Sequence, residues 1–102
     1  MTRDDVVSIV STALREQLDV DGIDYTDPIG EATPLVGRGA PIDSLGLVSI
    51  IVTVEERLQE QTGRTITLAD EKAMSQRNSP FLNVGTLASY ATREVSGEEH
   101  PA

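Results

Sequence analysis

The chain has 102 residues, with 17 acidic side chains against 8 basic ones, a formal charge of −9 and no cysteine. That length suits one domain, able to bury roughly 60–70% of its unfolded surface, and leaves no room for a second. The charge disfavours nucleic acid and anionic membranes and favours partners with basic patches, while the lack of cysteine excludes disulfides, thiolate zinc sites and a cysteine nucleophile.

The first segment, MTRDDVVSIV onward, has neither the basic block nor the apolar block of a signal peptide, and no apolar run in the chain reaches membrane-spanning length. The expectation is a soluble cytoplasmic protein. Val6, Ile9, Val10, Ala13, Leu14 and Leu18 recur at the i, i+3, i+4 spacing of a core-facing stripe, and Thr2 through Asp5 reads as a capping box, so the first element is a helix. Residues 20–42 follow with Pro28, Pro34, Pro41 and four glycines, longer than a compact domain leaves idle, so they hide a helical turn or serve function. Asp19, Asp21 and Asp24 within this stretch lack the glycine and bidentate glutamate of a calcium loop. Gly37-Arg38-Gly39 has no preceding strand and no lysine to make a phosphate loop, and reads as a turn.

A second helix is expected from Asp43 to about Thr62, with Leu47, Ile50, Ile51, Val54 and Leu58 on its core stripe and Gly63 placed to end it. The β-branched run VSIIVTV invites a strand reading, but it does not alternate, and the cap-to-glycine span suits a helix. Leu45, Val48 and Val52 form a second apolar face, which fits either deeper burial or a surface for partner or cargo. Thr67 to Asp70 reads as another capping box opening a short third helix that includes Ala73 and Met74. Val84, Leu87, Ala88, Ala91 and Val95, with Asn83 as N-cap, make the last helix, after a polar segment from Ser75 to Phe81. The expectation is one domain over 1–95, an all-α bundle of three long helices and one short one, and a disordered tail over 96–102. The single histidine, His100, falls in that tail and is better read as a bystander than as a base or ligand.

The chemically suggestive point is Asp43-Ser44-Leu45. Asp43 is a favoured N-cap whose carboxylate can accept from first-turn amides, and Ser44 becomes the first helical residue. A phosphate ester on its oxygen would sit at the positive end of the helix dipole, held without a basic side chain.

The string GAPIDSLGLVSIIVTVEERL, residues 39–58, resembles the attachment segment of acyl carrier proteins, where Asp-Ser-Leu begins the second helix and a glutamate pair closes its apolar run. The resemblance extends over about residues 3–95, through the small size, acidic balance, long first loop and short third helix. It implies a stand-alone, type II, four-helix carrier, not itself an enzyme. A phosphopantetheinyl transferase would attach 4′-phosphopantetheine covalently to the Ser44 hydroxyl. The arm's thiol would then hold an acyl or aminoacyl thioester for a loading ligase and downstream synthase or transferase enzymes. By the same carry-over Asp43 orients the site, Leu45 and Val48 make apolar partner contacts, and Glu55 and Glu56 match the acidic pair, which also reads as an ordinary solvated face. No catalytic residue and no metal ligand is implied, and a monomer is the simplest state. Leu14, Ile50, Val54, Leu58 and Leu87 read as core rather than as an acyl pocket.

Two departures point away from a housekeeping fatty-acid carrier and toward a dedicated pathway. Gly46 and Ser49 stand where acidic residues are common in that family, and acidity gathers instead at Asp21, Asp24, Asp27 and Glu31. The segment EKAMSQRNSPF is also longer than usual. The rival from another class is an acidic helical adapter with the same fold and no prosthetic group. An enzyme using Ser44 as nucleophile would need a nearby base that the sequence does not offer.

Overall fold

The computed structural model describes residues 1–37, 39–68 and 80–96. Among them are three α-helices, α1 (Arg3–Val20), α2 (Ser44–Thr62) and α3 (Val84–Ser96), and no strand beyond one isolated bridge between Pro34 and Asn83. The short third helix expected from Thr67 falls mostly outside the described residues, as do 71–79 of the longer segment and His100. The described architecture is therefore three-helical and all-α.

Each helix is delimited by local chemistry. The Thr2 hydroxyl accepts from the Asp5 amide at 3.2 Å and the Asp5 carboxylate accepts from the Thr2 amide at 2.9 Å, completing the capping box. At the other end of α1, Ile23 N–H donates to Leu18 O and Gly22 N–H to Asp19 O, the paired bonds of a Schellman motif. Gly63 ends α2 in the left-handed region at φ 71°, its N–H donating to Gln59 O at 2.8 Å. Only glycine adopts that conformation without steric cost. Asn83 and Thr86 cap α3 reciprocally, Asn83 Oδ1 accepting from the Thr86 amide at 2.8 Å and Thr86 Oγ1 from the Asn83 amide at 3.0 Å. Ser96 lies inside α3 rather than in a tail, its hydroxyl donating to Arg93 O.

The VSIIVTV run is helical throughout, because burial of Ile50, Ile51 and Val54 on one side outweighs the modest cost of β-branched residues in a helix. α1 packs against both α2 and α3. Val6, Val10, Leu14, Leu58, Val84 and Leu87 are fully buried, each aliphatic side chain contributing about 1.5–3 kcal/mol for leaving water. Leu14, Ile50, Val54, Leu58 and Leu87 are thus core, as their spacing indicates.

The long connection is tied down by contacts that are distant in sequence. Leu35 N–H donates to Leu82 O, Val84 N–H to Thr33 O and Gly85 N–H to Glu31 O, so residues 31–35 run beside the entry to α3. Arg3 closes this seam, donating to Glu31 Oε1 at 2.6 Å, to Gly85 O at 3.2 Å and to Ser89 Oγ at 3.1 Å. Leu35, held by the seam, is buried in the core and fixes the path of the chain into α2.

Candidate functional site

The site is built at the start of α2. Asp43 is extended (φ −94°, ψ −174°), and its Oδ1 accepts the Gly46 N–H at 2.8 Å while its carbonyl accepts the Leu47 N–H at 3.0 Å. The cap leaves Ser44 as the first helical residue, exposed, with its hydroxyl at the positive end of a 19-residue helix. Gly46 has a packing reason for lacking a side chain, since a Cβ there would come within 3.1 Å of Ile42 Cβ. The glycine lets buried Ile42 close against the helix start.

Leu45, Val48 and Val52 are 78%, 53% and 44% exposed. Their i, i+3, i+7 spacing puts them on one stripe of α2, with Ser44 at its head. This resolves the two readings of the second apolar face: it lies outside the core. No charged residue occurs between Ser44 and Val54. The stripe turns acidic only farther along, where Glu56, Gln59 and Glu60 line an open groove of about 340 Å³ beside Gly63. At 1.5 Å rise per residue, Glu56 lies roughly 18 Å along the axis from Ser44.

The glutamate pair divides. Glu56 is exposed, whereas Glu55 is half-buried and its Oε2 accepts the Leu68 N–H at 2.6 Å, fixing the chain after α2 where Ile66 and Leu68 enter the core. Glu31 likewise has structural work. The Arg3 guanidinium holds its carboxyl below the usual range, first through their hydrogen bond and then through its charge. The Asp21 carboxylate accepts from Gln17 Nε2 at 3.1 Å. Among the described residues, no three histidine or carboxylate side chains gather where they could hold a metal ion.

On the side of α2 away from Leu45, a partly open cleft of about 230 Å³ adjoins Ser44. Leu35, Val36, Gly37, Ile42 and Leu47 wall it, with Asp43 and Ser44 at its edge. Its existence was not visible in the sequence, because Leu35 and Val36 reach α2 only through the seam with residues 82–85.

No family model, no curated protein and no solved structure matches this chain. The residues present fit a phosphodiester-linked arm: an accessible hydroxyl, a capped helix start free of charge for its first turns apart from Asp43, and open space on both flanks. Among the described residues, no helix is long and apolar enough to cross a membrane.

Proposed function

We infer that this protein is a stand-alone acyl carrier, with 4′-phosphopantetheine attached through a phosphodiester to Ser44 Oγ. The observation that carries this reading is the exposed Ser44 hydroxyl at the Asp43-capped start of α2, at the head of the uncovered stripe Leu45, Val48 and Val52. When bound, the group supplies a thiol that holds acyl or aminoacyl cargo as a thioester.

The chain's own residues present and position. Ser44 Oγ forms a bond to the pantetheine-side phosphorus of coenzyme A as the pyrophosphate link breaks, adenosine 3′,5′-bisphosphate leaves, and the serine proton goes to a base on the transferase. Asp43 fixes the helix start, so the direction in which Ser44 leaves the helix is set before any partner arrives. Leu45, Val48 and Val52 give partner enzymes an apolar contact beside the attachment point, and Glu56 offers a charge about 18 Å away for a basic patch. The charge-free first turns of α2 favour enzymes that dock through apolar surface, which fits a dedicated pathway better than a general one. The cytoplasm, where coenzyme A is available, is the compartment this reading requires.

A serine-dependent mass gain tests the proposal. The protein is incubated with coenzyme A, magnesium and a broad-specificity phosphopantetheinyl transferase, and intact masses of wild type and Ser44→Ala are compared. The carrier predicts addition of one phosphopantetheine to wild type alone. No gain in wild type favours an acidic adapter that binds protein partners through the same α2 face.

A further inference from the structure

Resting on the reading of Ser44 as the attachment point, we propose that the cleft between residues 35–37 and the start of α2 seats the first, branched unit of the arm, next to the phosphate. The distal thiol and its cargo stay outside. Two observations carry this. Ser44 itself forms part of the cleft's edge, so whatever is bonded to its oxygen begins there. The volume then gives the scale of what the cleft can cover. At about 30 Å³ for a water-sized group, 230 Å³ holds roughly seven or eight such groups. That matches a short branched unit with two methyls, a hydroxyl and a carbonyl, and is far below an extended arm with an acyl chain.

The lining has the corresponding chemistry. Val36 and Leu47 offer apolar surface to the paired methyls above the buried Leu35 and Ile42, while the Gly37 backbone and the solvent-facing rim leave polar groups hydrated. Val36, in the loop, and Leu47, in α2, both line the cleft and are half-buried, so each retains area to cover. The wall on the loop side is held by the Leu35 N–H bond to Leu82 O at 2.9 Å, which makes the cleft a built feature rather than a gap beside a free loop. Seating the arm's root restricts the directions from which the thiol is offered.

The test is nuclear magnetic resonance on the full chain carrying the arm, with loading first established by intact mass. Nuclear Overhauser contacts are expected from the arm's geminal methyls to the methyls of Val36, Ile42 and Leu47, and they persist unchanged when the thiol carries acetyl or octanoyl. Val36→Phe, which fills the cleft, is expected to lose these contacts while still gaining the full mass at Ser44. Contacts only to Leu45 and Val48, no contacts, or replacement of the arm's methyls by the octanoyl chain would each overturn the proposal while leaving the carrier reading intact. Absence of any mass gain overturns the carrier reading, and this proposal with it.

Discussion

The Asp43 carboxylate reaches over Ser44 and Leu45 to accept the Gly46 N–H at 2.8 Å, so the residue before the candidate attachment point is also the one that starts its helix. Removing the cap therefore affects both stability and presentation. Asp43→Ala is expected to cost about 1 kcal/mol, a fall of roughly 4–8 °C in melting temperature. Asp43→Asn retains an acceptor and keeps most of that stability. If a transferase reads the negative charge as well as the geometry, Asp43→Asn loads slowly despite its near-native stability; equal loading of wild type and Asn variant would limit Asp43 to capping.

Leu45 and Leu58 lie on one helix and have opposite fates, the first 78% exposed and the second fully buried. Leu45→Ala should change unfolding free energy by no more than about 0.5 kcal/mol, whereas Leu58→Ala should cost about 2–5 kcal/mol through lost burial and a cavity. The partner-facing reading adds that Leu45→Ala slows transfer to Ser44 about tenfold, equivalent to ~1.4 kcal/mol of lost contact. Denaturant titration and transfer kinetics on the two variants check this. A large stability loss in Leu45→Ala would place the residue in the core and remove it from the interface.

Much of this arrangement is legible in the sequence because it is local. Thr2 with Asp5, Asp43 with Gly46, and Gly63 after Thr62 are separated by three residues or fewer, and their spacing carries the cap geometry directly. Leu35 and Phe81 are buried without belonging to any helical stripe, and Arg3 meets Glu31 across 28 positions, so no periodicity announces them. The same holds for the cleft beside Ser44, whose outer wall depends on the seam to Leu82. Glu55 illustrates the converse: its place in an acidic pair suggests a surface role, while its bond to the Leu68 amide is set by how the chain turns after α2.

Gly85 tests the seam. A Cβ at this position would stand 3.1 Å from both Glu31 Cβ and Glu31 O, and that carbonyl accepts the Gly85 N–H at 2.8 Å. Alanine normally stabilises a helix relative to glycine by about 1 kcal/mol. Here the gain should be reversed, because the obstructing atoms include backbone that cannot swing aside, and overpacking of this kind costs roughly 1–3 kcal/mol. Thermal unfolding of Gly85→Ala is expected to show a lower midpoint than wild type. A higher midpoint would mean that residues 31–35 are free to move away from α3.

Glu31 gives the seam a dependence on acidity. Its carboxyl is held below the ordinary 4.5 by Arg3, so the charged form is favoured in the folded chain. The stabilisation from this pair is thus present above about pH 4.5 and is lost as the pH falls through the lowered folded-state value. Glu31→Gln leaves Arg3 able to donate to Gly85 O and Ser89 Oγ, so it removes the titrating part while keeping the other contacts. The difference in urea midpoint between wild type and Glu31→Gln is expected to be largest near neutral pH, small because both partners are exposed, and to shrink toward zero on acidification. Asp5, lowered by the Thr2 backbone bond, titrates in both proteins and cancels in the comparison. A midpoint difference that stays constant from neutral pH into the acid range would mean that the ion pair has no share in holding the loop to α3.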